Sequence, residues 1–248
     1  MIITIRKRTL GLLFTGIFLL GLGSYNIALH PNMNQWKSEK KVVTLVATNE
    51  KAVSLTFDDG PDAETTPAVL DSLARHNVRA TFFVVGYRAE KLPLLLKTMA
   101  AQGHELGNHS YSHNYSQFKK NDIAIFQSEI EQTNTIISQA TGKTPALFRP
   151  PGGYLSDKMV EFVNNYPMTI AYWTWQQDSK DWRSGNKAED IARHIVANIR
   201  PGQIIILHDG ADNALETARA VDLLLTRLTA DGYRFVTMSE LIQLGKSE

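Results

Sequence analysis

The strongest constraint on this chain is the regular alternation of short apolar runs with helix-length amphipathic segments. Residues 52–57 read as a strand and 65–77 as a helix; the same pairing recurs at 79–84 with 90–102, 104–107 with 121–140, and 146–148 with 156–165. It continues at 168–173 with 188–199, 203–207 with 214–230, and 233–236 with 239–244, while 43–47 reads as a short leading strand. The β-branched run 204–206 supports a buried strand, and Gly103, Gly142 and Gly232 each follow a helical stretch, where a left-handed residue ends a helix. Strict alternation implies parallel strands joined by helical crossovers, an α/β fold that is either a doubly wound sheet or a (β/α) barrel. A length of 248 residues gives one such domain ample chain for a core.

Charge and cysteine content exclude several functions. Lys and Arg number 26 against 25 Asp and Glu, so no basic excess exists to neutralise nucleic-acid phosphates. With no cysteine, disulfides, thiolate metal sites, iron–sulfur clusters and a Cys nucleophile are ruled out. Any metal must be held by His, Asp or Glu.

The N-terminus stands apart. Arg6, Lys7 and Arg8 precede an apolar run from residue 10 to 22 that extends to Leu29 if Ser24, Tyr25 and Asn26 are tolerated. Residues 1–29 read as a signal peptide or membrane anchor, the uncleaved anchor slightly favoured because no clear A-x-A cleavage pattern follows. The basic flank then stays cytoplasmic and the rest of the chain lies outside. Residues 30–49 form a linker with the leading strand, and residues 50–248 the main domain.

The chemistry-bearing residues fall just after expected strands. Asp58 and Asp59 end the first strong strand; if the chain stays extended they point to opposite sides and can divide cation binding from proton handling. For two carboxylates alone, a solvated Asp-Gly-Pro turn is the simpler reading. His109 and His113 lie four apart, a spacing that puts both imidazoles on one face of a helical turn and favours a shared ion over two structural histidines. His104 and Glu105 begin an H-E-x-x-H pattern that His109 misses by one position, so the zincin motif is absent and His104 reads as a strand or supporting residue. Arg149-Pro150-Pro151-Gly152-Gly153-Tyr154 is a rigid turn whose glycines let backbone N–H groups approach a substrate oxygen. Asp178 to Trp182 follows an aromatic run, and His208-Asp209 ends the apolar strand 203–207. Tyr111, Tyr115, Tyr154, Trp173, Trp175 and Trp182 could stack on sugar rings, with core packing the simpler account of Trp173. Thr141-Gly142-Lys143-Thr144 is not a phosphate loop, because Ile137 stands where the first glycine is required. In a parallel barrel the strand ends share one face, where βα loops assemble a site.

Taken together, T-F-D-D, H-S-x-x-H, R-P-P-G-G, D-x-x-D-W and the I-x-H ending at Ile206 and His208 resemble the NodB-homology polysaccharide deacetylases, carbohydrate esterase family 4, over about residues 50–245. The resemblance implies an irregular (β/α) barrel of about seven βα units that removes acetyl groups from glycans, most naturally cell-wall peptidoglycan, with chitooligosaccharide or another acetylated polysaccharide as the alternative. A small-amide hydrolase on the same scaffold and a non-catalytic glycan-binding module are more remote readings. It implies Asp59, His109 and His113 as ligands of one divalent cation, zinc by default, with cobalt, nickel or manganese accepted by related donor sets. It further implies Asp58 as general base positioned by Arg149, and His208 as general acid oriented by Asp181. Gly152, Gly153, Tyr154, Trp182 and Ile206 would contact substrate. Gly152 departs from the aromatic residue many members carry there, leaving a backbone N–H but no side chain. The expected partner is an N-acetylated glycan, with no nucleic acid, a membrane only through an uncleaved N-terminal segment, and a monomeric state.

Overall fold

The computed structural model describes residues 32–245; the anchor or signal segment 1–29 lies outside them. Among the described residues, no helix is long and apolar enough to cross a membrane. The chain opens with α1 (Met33–Ser38) and β1 (Val42–Val43). The alternating part runs β2 (Ala52–Asp58), α2 (Thr65–Arg75), β3 (Thr81–Val84), α3 (Gly86–Ala89), α4 (Pro93–Ala101), β4 (Glu105–Asn108), α5 (Tyr115–Lys119) and α6 (Ile123–Thr141). It continues with β5 (Leu147–Phe148), α7 (Asp157–Asn164), β6 (Thr169–Ala171), α8 (Ala188–Asn198), β7 (Ile204–His208), α9 (Ala214–Ala230), β8 (Arg234–Phe235) and α10 (Met238–Leu244). Short 3-10 turns occupy Pro151–Gly153 and Trp175–Gln177.

All pairings are parallel, in the order β1-β6-β5-β4-β3-β2-β7, with β8 added at the start of β2. This curled sheet is the expected irregular barrel, and its two ends, β1 and β7, meet through a seam. There the Val46 N–H donates to the Gly202 carbonyl at 3.0 Å and the Thr174 N–H to the Ile204 carbonyl at 3.0 Å. The leading strand is thus Val42–Val43 rather than 43–47, because from Val46 onward the backbone bonds to the turn before β7. The expected linker also contains a helix: α1 buries Trp36 and donates its indole N–H to Asp157 at 2.9 Å, docking on the start of α7.

Strand periodicity sorts the core into two shells. On β2, Val53, Leu55 and Phe57 face outward and pack with Phe82, Ile205 and Leu207 against α2, α8 and α9. Ser54, Thr56 and Asp58 alternate with them on the opposite face, and all three are buried. Phe83, Leu147, Ala171 and Ile204 form a separate inner cluster with Met238 and Leu241 of α10. A third cluster gathers Phe126, Phe148, Met159 and Ile170 between the sheet and α6 and α7. Burial of the apolar side chains, at roughly 1.5–3 kcal/mol each, holds the helices on the sheet.

Candidate active site

Asp58 is the last residue of β2 and faces inward because Thr56 and Ser54 do. Asp59 then leaves the strand in the left-handed region, with φ of 71°. The expectation that the two carboxylates diverge assumed extended backbone; the left-handed turn instead brings both to His109. Asp59 Oδ1 lies 3.4 Å and Asp58 Oδ2 3.8 Å from the same His109 Nε2. His113 Nε2 is 3.0 Å from Asp59 Oδ1. One ligand atom from each of Asp59, His109 and His113 falls within 4.8 Å of the others.

The histidines converge by a route other than the one their spacing suggests. His109 follows β4 and His113 sits in a loop before α5, with φ of 66° at Ser110 and 55° at His113, so no helical turn carries the pair. Left-handed non-glycine residues cost energy and persist where the surroundings over-determine them. Here the loop is fixed by Glu129 of α6, a buried carboxylate that accepts the N–H groups of Tyr111 and Ser112 at 2.9 and 2.7 Å. Asn108 adds a bond from the Ser110 N–H at 2.8 Å, and the Ser110 hydroxyl accepts the His113 N–H at 3.1 Å.

His109 Nδ1 lies 2.8 Å from the Arg149 carbonyl. A carbonyl only accepts, so Nδ1 carries the proton and Nε2 is left with its lone pair toward Asp59 and His113. A carboxylate oxygen and two imidazole nitrogens aimed at one point fit a divalent cation, since a carbonyl holding Nδ1–H is the usual support of a metal-binding histidine. Burial alone would raise the Asp59 carboxyl, but its contacts with His109 and His113 hold it far below the usual carboxylate range.

Arg149 is fully buried, its guanidinium 4.0 Å from the Phe83 ring centroid. It donates to Asp58 Oδ1 at 2.8 Å, to Thr56 Oγ1 at 2.8 Å, and to the Ala171 and Tyr172 carbonyls at 3.0 and 2.8 Å. Burial pushes its pKa down and Asp58 opposes that; the pair is charge-balanced and hydrogen-bonded throughout. On the far side, His208 ends β7 and is held twice by Asp181: its backbone N–H donates to Oδ2 and its Nδ1 lies on Oδ1, both at 2.8 Å. Thr217 of α9 donates to Asp181 at 2.9 Å. Burial would lower the His208 pKa, but Asp181, aided by Asp58 and Asp59, outweighs it and lifts the imidazole to about 9.

The remaining expected residues divide. Gly152 is exposed with φ of 58°, and a Cβ there would come 2.6 Å from the Tyr115 ring, so the glycine fits a turn packed under an aromatic. Tyr115 in turn stands edge-on to His113, centroids 5.0 Å apart. Gly153 is buried, and its carbonyl accepts the Tyr172 hydroxyl. Tyr154 packs on the α6–α7 cluster, whereas Trp182 is half-exposed beside Arg183 and Ile206 is buried in β7. Trp173 is a core residue, stacked on Tyr172. His104 belongs to the opposite end of the sheet, where Nδ1 accepts the Ala80 N–H at 3.1 Å and burial near Arg79 lowers its pKa to about 4. Glu129 and Thr217 escaped sequence reasoning, each an ordinary helix residue whose partner lies far along the chain; Thr56 was read as the start of T-F-D-D but given no role.

Fold and site together define a (β/α)-barrel hydrolase with its polar groups gathered at the C-terminal strand ends. The chain belongs to the polysaccharide deacetylase family, whose model matches residues 46–171. A peptidoglycan-N-acetylglucosamine deacetylase of Bacillus cereus is 38% identical over 198 residues, covering 80% of this chain and 91% of that one. The crystal structure of the Bc1960 peptidoglycan N-acetylglucosamine deacetylase superposes with a TM-score of 0.79 at 34% identity, over 84% of this chain and 95% of that one. A family 4 acetyl xylan esterase from Clostridium thermocellum, in complex with a cobalt ion, gives 0.70 at 36% identity over 78% and 91%.

Proposed function

We propose that this enzyme removes N-acetyl groups from N-acetylhexosamine units of peptidoglycan outside the cytoplasm, releasing acetate, and that residues 1–29 anchor it or direct its export. One observation carries the reading: Asp59, His109 and His113 converge beside an Asp58 locked by a buried arginine, with an Asp181-held imidazole facing them. Asp59, His109 and His113 would hold a divalent cation, which would supply Lewis acidity toward a bound water and the acetamido carbonyl. Asp58, fixed by Arg149, accepts the proton of the attacking water at Oδ2. The N–H groups of Gly153 and Tyr154 are taken by the Pro150 and Pro151 carbonyls, so Gly152 supplies the N–H that meets the carbonyl oxygen as charge builds there. His208, protonated and oriented through Nδ1, delivers its Nε2 proton to the departing amine. Ile206 and Trp182 border the acetyl group, and Tyr154 supports the turn.

Acetate release from peptidoglycan fragments, chitooligosaccharides and acetylxylan, read with metal analysis of the purified protein, tests these roles. Asp58→Asn abolishes turnover yet retains the cation, whereas His109→Ala loses both. An active Asp58→Asn protein would remove Asp58 from the role of base; full activity after thorough metal stripping would remove the triad.

A further inference from the structure

A second aromatic site lies outside the catalytic cluster. Trp175 has 57% of its surface open, more than any other tryptophan among the described residues, and joins none of the core clusters. It borders a surface cleft of about 320 Å³ lined also by Gln176, Asp178, Lys180, His194 and Asn198. That volume is at the lower end of small-molecule sites. The cleft is preorganised: the Thr174 N–H is bonded to Ile204, and Asp178 pairs in parallel with Ile206, so the segment lies along β7. His194 Nε2 donates to the Gln176 carbonyl at 2.9 Å, leaving Nδ1 as an acceptor. The Asn198 amide donates to the His194 carbonyl at 2.7 Å and keeps its own oxygen free to accept. Lys180, ion-paired with Asp178, sets its ammonium 5.5 Å from the Trp175 ring centroid.

The Lys180 ammonium lies over one face of Trp175, while the 57% exposure leaves ring surface open beside an amide and an imidazole; that surface matches a pyranose, which presents a face of C–H groups and a rim of hydroxyls. An apolar peptide would leave the same polar groups without partners. We propose that the Trp175 cleft is an auxiliary glycan-contact site, stacking a sugar unit of the same polymeric strand whose acetyl group is cleaved; this rests on the deacetylase reading above. Trp175 and Trp182 are seven residues apart on one segment, hence within about 25 Å, so a single glycan strand can reach both. Asp181, which orients His208, lies between them.

The test compares the full chain with Trp175→Ala and Trp175→Phe on insoluble peptidoglycan sacculi and on a soluble chitotriose, with cosedimentation as a readout independent of turnover. Trp175→Ala raises KM for sacculi about tenfold and loses cosedimentation, kcat and the chitotriose constants stay unchanged, and Trp175→Phe restores most of the binding. Equal KM and equal cosedimentation for wild type and Trp175→Ala overturn the proposal. So does a loss seen only with anionic phospholipid vesicles, which would make the cleft a lipid contact. If the wild type releases no acetate from either substrate, the deacetylase reading fails, and Trp175-dependent cosedimentation still decides whether the cleft binds glycan.

Discussion

Asp181 grips His208 by both ring and backbone, and this double hold gives the imidazole its charge. Because the folded pKa of about 9 exceeds the ordinary 6.5, the protonated pair adds stability in full below about pH 6.5, and that stability is lost as pH rises through 9. Catalysis by a protonated His208 therefore fails on the alkaline side. Removing the carboxylate in Asp181→Asn lowers the His208 pKa and moves the alkaline limb of kcat/KM to lower pH, while the acid limb, set by other groups, stays. An alkaline limb at the same pH in both proteins would show that His208 is not the proton donor. Arg149 gives a contrasting case: cutting it to Ala strands Asp58 as a buried unpaired charge, so stability falls by about 3–5 kcal/mol along with activity, as denaturant titration would register.

Elements matter here through what they hold still. The loop carrying His109 and His113 is pinned to α6 by one carboxylate, Glu129, which accepts two successive backbone N–H groups. Glu129→Ala frees that loop without touching a ligand atom and weakens divalent-cation affinity about 10–100-fold, as loss of supporting contacts around a metal site does. Isothermal titration with zinc checks it, with His104→Ala as the control that leaves affinity unchanged; affinity equal to wild type in Glu129→Ala would show the loop is held by other means. This contact also marks where sequence reading stops. Helix α9 was legible to the residue, because its apolar spacing and the glycine beyond it are local signals. Asp59, His109 and His113 were legible as residue types placed after strands. Their geometry was not: Asp59 and His113 adopt left-handed backbone, and the loop carrying His109 and His113 is held by contacts from Glu129 of α6 and the Arg149 carbonyl after β5 that no spacing rule encodes. The helices α1 and α5 were missed for a related reason, being too short for periodicity to register.

At the scale of the molecule, the site joins residues from β2, the loop after β4, the turn after β5, and β7, so occupying it ties together strands that are distant in sequence. A cation that binds only this assembled arrangement stabilises the fold by mass action, about 2.7 kcal/mol at a free concentration one hundred times Kd. For a domain of this size each kcal/mol is worth roughly 2–4 °C in Tm, so zinc at that concentration raises the melting temperature by about 5–10 °C. Chelation reverses the rise, and His113→Ala does not show it, although that variant removes a partly exposed side chain and keeps the core intact. Differential scanning calorimetry with and without chelator reads the effect directly. If His113→Ala gains as much as wild type, cation binding lies elsewhere in the chain; if neither gains, the assembled triad does not discriminate folded from unfolded protein, and the convergence of Asp59, His109 and His113 has another purpose.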